Sequence, residues 1–158
     1  MAKVNLTETQ KELIEKAGVV FEQDGLSPAA ARTIGLLLVS DETELTFDAI
    51  YETLNMSKSA ASNAINLLLA TQKIEYITKP GDRKRYFRTR LVELESIFDD
   101  QMLGMLNNMV SIYKEILNQR TDKTQKFNNS LLDIIQFMEL MQKEMPLIFQ
   151  RWKASKKG

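Results

Sequence analysis

Apolar residues recur every three or four positions over most of this chain, and polar breaks between the runs divide it into helices. Leu13, Ile14, Ala17, Val20 and Phe21 predict a first helix from Thr7 to Gln23 with one apolar stripe. Thr7, with Gln10 three residues on, has the form of a capping box, and Gly25 supplies the stop. Ser27-Pro28 opens a second helix, serine as cap and proline in the first turn. That helix is expected to bury Ala30, Ile34, Leu37 and Leu38, with Gly35 letting another element approach closely. Asp41-Glu42-Thr43-Glu44 breaks the pattern. Leu45-Thr46 predicts one rung of a small sheet, and Thr46 caps a third helix, Phe47 to Asn55, with Phe47, Ile50, Tyr51 and Leu54 inward. Asn55-Met56-Ser57 reads as a tight turn. Asn tolerates left-handed backbone there, and Ser57 caps the next helix.

The fourth helix, Ser57 to about Ala70, places Ala61, Ala64, Ile65, Leu68 and Leu69 on one face and Lys58, Ser59, Ser62, Asn63 and Asn66 on the other. Strict alternation then replaces helical spacing. Ile74, Tyr76 and Thr78 alternate with Glu75, Ile77 and Lys79; Pro80-Gly81 marks a turn; Arg85-Tyr86-Phe87-Arg88-Thr89 alternates again. Those are the strands of a hairpin. Helical spacing returns from Leu91 to Gln119, breaks at Thr121-Asp122-Lys123-Thr124, and resumes from Thr124 to Lys153, where Pro146 is expected to kink or split the helix. Ala154 to Gly158 reads as a frayed basic tail.

Charge changes this picture from layout to function. The chain is neutral overall, with 21 basic and 21 acidic residues, but the charge is not evenly spread. Residues 57–90 hold eight basic and two acidic side chains, a net +6, while residues 1–56 hold four and ten, a net −6. The positive charge gathers on a helix start and a hairpin tip, Lys79-Pro80-Gly81-Asp82-Arg83-Lys84-Arg85, as expected of a surface that meets phosphates. Arg32 reads instead as an ion-pair partner within the acidic first half.

Composition closes off most catalytic chemistry. Cysteine and histidine are both absent. That excludes disulfides, thiolate or imidazole metal sites, and Ser-His-Asp or Cys-His nucleophiles. The six glycines stand singly, so no phosphate-cradling loop is present. Asp41, Glu42, Glu44 and Asp99-Asp100 show no spacing that suggests a converging acid pair. The expectation is a protein that is not an enzyme and needs no cofactor or metal. No apolar run reaches the ~20 residues that span a bilayer, and no signal-peptide core follows Met1, so a cytoplasmic protein with no membrane partner is expected.

Helix, helix, short strand, helix, tight turn, helix and hairpin is the order of a winged helix-turn-helix. The fold expected is mainly α, with a small β-hairpin wing and a long helical region. Its fourth helix has to enter a major groove about 12 Å wide, so its leading residues are small or hydrogen-bonding. Ser57 and Lys58 sit where the helix dipole and free N–H groups favour phosphate. Asn63 and Asn66 are candidates to read base edges, with Ser62 on the same polar face. Arg83, Lys84 and Arg85 would reach backbone or an adjacent minor groove, and Lys79 belongs to the same basic tip.

Three stretches, in order, resemble the MarR superfamily and, within it, the GbsR-like branch. They are Gly25-Leu26-Ser27-Pro28-Ala29-Ala30-Ala31-Arg32-Thr33-Ile34-Gly35-Leu36-Leu37-Leu38, then Leu54-Asn55-Met56-Ser57-Lys58-Ser59, then Lys79-Pro80-Gly81-Asp82-Arg83-Lys84-Arg85-Tyr86-Phe87. The resemblance implies a dimeric transcriptional regulator whose terminal helices dimerise. Carried over by position, it places Ser57, Lys58, Ser59, Ser62 and Asn63 at the groove and Arg83 and Lys84 in the wing. It divides the chain into an N-terminal dimerisation helix (1–24), the DNA-binding domain (25–90) and a C-terminal helical dimerisation region (91–158). Relatives often carry glycine where the recognition helix turns into the hairpin; here Thr71-Gln72-Lys73 stands, and positive φ on such a residue costs about 1 kcal/mol. The branch is also associated with choline-responsive control, which would make Phe98, Tyr113 and Trp152 a place for a quaternary ammonium effector. Packing in core and dimer seam is the stronger reading of the late aromatics and of the six methionines beyond residue 100.

The expected function is therefore sequence-specific binding of double-stranded DNA at a pseudo-palindromic operator by a homodimer, as a repressor. Long helices with uncovered apolar stripes make a monomer hazardous. The competing reading is a winged-helix scaffold whose basic face meets an acidic protein.

Overall fold

The computed structural model describes residues 3–90, 94, 98 and 102–156. The chain divides into two compact units, Met1–Val92 and Glu93–Gly158. The first contains α1 (Glu8–Gln23), α2 (Pro28–Val39), β1 (Leu45–Thr46), α3 (Phe47–Thr53), α4 (Lys58–Ala70), β2 (Ile74–Thr78) and β3 (Arg85–Thr89). The second contains α5 (Gly104–Gln119), a 3₁₀ turn (Asp122–Thr124) and α6 (Gln125–Ser155). The fold is mainly helical with one small antiparallel sheet, a winged helix.

Local chemistry sets the helix starts. Thr7 accepts from the Gln10 backbone N–H at 3.1 Å, and the Gln10 side chain accepts from the Thr7 N–H at 2.9 Å, completing the capping box. The side-chain oxygens of Ser27, Thr46 and Ser57 accept from the Ala30, Ala49 and Ala60 N–H groups and cap α2, α3 and α4 without a reciprocal bond. Among the described residues, the two left-handed non-glycine ones flank α4. Asn55 (φ 51°) makes the turn before it, and Gln72 (φ 55°) makes the turn after it, within the Thr71-Gln72-Lys73 stretch where the resemblance led to an expectation of glycine.

The core of the first unit lies between α1, α2, α3, α4 and the inner face of the sheet, and it includes Ile14, Leu36, Leu45, Ile50, Ile65, Leu68, Ile74 and Phe87. The strand order is β1-β3-β2, with Leu45 opposite Phe87 and Tyr76 also opposite Phe87. Thus the predicted Leu45-Thr46 rung exists and pairs with the far strand of the wing. Gly35 has its expected role, since a Cβ there would stand 3.2 Å from the Ile14 carbonyl oxygen. Arg32 pairs with Glu15 and Glu22, as read from the charge pattern.

In α1 Ile14 and Gly18 are buried, while Leu13 and Val20 of the apolar stripe are exposed in one copy. Two expectations on buried faces need correction. Leu38, expected inward, is 40% exposed, and Leu69 is only partly buried. Spacing tells which residues share a face, but not how much cover one chain supplies.

In the second unit α5 and α6 run antiparallel, holding Leu106, Val110, Leu131 and Ile135 between them. Lys114 pairs with Glu139, and Gln142 Nε2 donates to Asn107 Oδ1 at 2.7 Å. Arg120 ties the connecting turn, donating to Asn128 at 2.6 Å and Thr124 at 2.7 Å. Pro146 does not split α6, which is assigned as one helix of 31 residues. A proline removes one backbone bond, and the apolar stripe continues on both sides of it. The expected helix over 91–119 is borne out from Gly104; most of 91–101 lies outside the described residues. Phe98 and Trp152 both stack on Phe149, at centroid distances of 4.2 and 5.6 Å.

Candidate nucleic-acid interface

Helix α4 has two opposed faces. Ala61, Ala64, Ile65 and Leu68 are buried, and the two alanines keep the packed side slim. Lys58, Ser59, Asn63 and Asn66 are exposed, and Ser62 is partly covered. Ser57 Oγ accepts from the Ala60 N–H at 3.1 Å, so its oxygen is engaged as a cap while its O–H remains a donor. Lys58 Nζ lies 5.3 Å from the Tyr51 ring centroid, which draws the cation toward α3 at the helix start.

The wing tip is a hydrogen-bonded loop. Gly81 adopts φ 80°, a backbone that side chains rarely allow. The Asp82 N–H donates to the Lys79 carbonyl at 3.0 Å, closing the turn. The Asp82 carboxylate accepts from the Lys84 N–H at 2.9 Å and from the Tyr86 O–H at 2.6 Å. These bonds hold the Asp82 carboxyl below the usual carboxylate range, the Tyr86 hydroxyl being the larger cause. The same contact pushes the Tyr86 phenol upward.

A cleft of about 390 Å³ separates α4 from the wing. Ser62 and Asn66 line one wall, Arg83, Lys84 and Arg85 the other, over a floor that includes Ile65 and Phe87. Five of the sequence-predicted residues thus meet at one place. Lys58, Ser59 and Asn63 of α4, and Ser57 at its cap, lie outside that cleft. Lys79 is set differently, 2.9 Å from Glu44 and 4.1 Å from the Tyr86 ring centroid. Glu44 accordingly raises the Lys79 pKa. Arg88 joins the same group, 2.6 Å from Glu75 and 3.6 Å from Glu44.

Sequence reasoning passed over Glu44, Asp48, Asp82 and Tyr86. Asp48 lines the cleft as its one acid. Asp82 carried a readable signal, since an aspartate in a turn commonly bonds the backbone two residues on. The Glu44 pairing had none, because it joins residues 35 apart in sequence. Among the described residues no acidic cluster could hold a metal ion, and no helix is long and apolar enough to cross a membrane.

Comparison with known proteins agrees with this geometry. Residues 24–85 match the model of the MarR family. The chain is 33% identical over 79 residues to the HTH-type transcriptional regulator MmpR5 of Mycobacterium tuberculosis, a match over 50% of this chain and 48% of that one. It therefore spans about half the length of that curated relative. A crystal structure of a transcriptional regulator superposes with a TM-score of 0.74 at 21% identity, covering 92% of this chain and 99% of the other. The winged-helix fold is shared with that regulator, and over its helix-turn-helix and wing the chain is similar to the MarR family.

Proposed function

We propose that this chain is a transcriptional regulator of the GbsR-like branch, a homodimer that binds double-stranded DNA sequence-specifically and represses. The observation that carries the reading is the cleft where the polar face of α4 meets three cations of the wing. In this reading α4 enters the major groove. Asn63 and Asn66 face base edges, with Ser59 and Ser62 beside them, because amide and hydroxyl groups match the donors and acceptors displayed there. Ser57 and Lys58 hold a phosphate at the helix start. Arg83, Lys84 and Arg85 follow the backbone or the neighbouring minor groove. Lys79 contributes through the wing's shape, its charge being shared with Glu44.

The second unit supports the dimer. Phe127, Ile134, Phe137, Leu140 and Ile148 of α6 are exposed in one protomer, a large apolar surface that a second copy would cover. Two recognition helices would then read half-sites about 34 Å apart on a pseudo-palindrome. The test is binding to the chain's own upstream DNA against a random duplex across a salt series, with sedimentation to count subunits. If about 6–10 phosphates are met, affinity falls roughly 10³–10⁵-fold between 50 and 200 mM salt. Joint replacement Arg83→Ala and Lys84→Ala weakens DNA binding and leaves the subunit count unchanged. Weak, salt-insensitive binding would refute the reading and favour an acidic protein partner for the same face.

A further inference from the structure

An acid in the middle of the basic wing tip is the least expected charge on this surface. By charge alone Asp82 repels the phosphates that its neighbours attract. Its geometry points the other way. Both carboxylate oxygens are engaged, one by the Lys84 N–H and the other by the Tyr86 O–H. The Asp82 backbone N–H is engaged as well, by the Lys79 carbonyl. One residue therefore ties the end of β2, the turn and the start of β3 together. The face of Tyr86 is in turn covered by Lys79 Nζ, which Glu44 anchors to the segment before β1. Arg83, Lys84 and Arg85 lie within the span that Asp82 and Tyr86 close.

We infer that Asp82, acting through the Tyr86 hydroxyl and the Lys84 amide, is a positioning residue that fixes the basic wing tip in the shape that meets nucleic-acid phosphates. The inference rests on the DNA-binding reading above. A loop rich in arginine and lysine loses side-chain and backbone freedom when it binds, and a loop already ordered loses less. Charge repulsion by Asp82 and ordering by Asp82 have opposite signs, so removing the residue decides between them.

The experiment compares the full chain with Asp82→Ala and Tyr86→Phe, using a labelled random-sequence duplex over a salt series. Both variants are expected to weaken binding, Asp82→Ala by about ten-fold although it adds net positive charge, with Tyr86→Phe falling in between. The salt slope is expected to drop by about two in Asp82→Ala as Arg83 and Lys84 cease to hold phosphates. Purely structural damage would lower the unfolding temperature without this change in slope. Asp82→Ala binding that tightens or is unchanged would overturn the inference and leave Asp82 as a mere repulsive charge. A second arm needs no DNA: amide exchange at Lys84 and Arg85 accelerates in both variants. Wild-type protein that ignores DNA while this arm behaves as stated removes the DNA reading alone, leaving Asp82 as the residue that orders the wing. Equal exchange in all three proteins overturns the positioning role whatever the DNA result.

Discussion

Gln72 holds left-handed backbone at φ 55° with no glycine's freedom to do so. The expected result of Gln72→Gly is a gain of about 0.5–1 kcal/mol, read by urea unfolding, because the strain exceeds glycine's extra chain entropy. The sequence made this position visible only as a missing glycine among Thr71, Gln72 and Lys73. Asn55, by contrast, was readable directly, since asparagine is a residue that tolerates this backbone. At the wing, pH has two limits. Asp82 is lowered, so its contribution is present above the ordinary carboxylate range and is lost only as pH falls through its depressed value. Tyr86 is raised, so the same bond is fully present below the ordinary phenol range and is lost as pH rises through its elevated value. A phenolate absorbance titration of wild type minus Asp82→Ala should show one tyrosine ionising at lower pH in the variant.

Among elements, the legible features were those set by neighbours in sequence. Caps at Thr7, Ser27, Thr46 and Ser57, and the Pro80-Gly81 turn, each follow from a few adjacent residues. Features set across the fold were harder to read. Periodicity marked Leu13, Val20 and Leu38 as sharing apolar faces, yet the first unit covers none of the three. Five members of the candidate site were brought together as a group, whereas the Glu44–Lys79 pair could be found only once β1 was seen beside the wing. Gly35 gives a test of the contact between α1 and α2. Gly35→Ala should cost about 1–3 kcal/mol, because the new methyl meets rigid backbone at Ile14 and the helices must separate. Differential scanning calorimetry would read this as a lowered melting temperature.

For the whole molecule, the decisive quantity is apolar surface that one copy leaves open. Phe137 is 63% exposed on α6, away from the residues that α5 covers. In the proposed dimer Phe137→Glu should shift sedimentation to the monomer and weaken operator binding, since two half-sites held by one dimer bind more tightly than two independent monomers. A variant that stays dimeric would move the seam elsewhere on the surface. The first unit should keep its fold in this variant, because its core, from Ile14 to Phe87, lies within residues 1–92.

Met105, 67% exposed on α5, is a further apolar side chain that one copy leaves open, and one that carries its own chemistry. A thioether is oxidised about as readily as peroxide can reach it, and the sulfoxide is polar and bulkier in its hydration. If copies pair over this face, dilution opens Met105 to oxidation and the oxidised form can no longer pair well. Peptide mass spectrometry after brief peroxide treatment should therefore find sulfoxide at Met105 rising as protein concentration falls. A yield independent of concentration would place this methionine outside the seam.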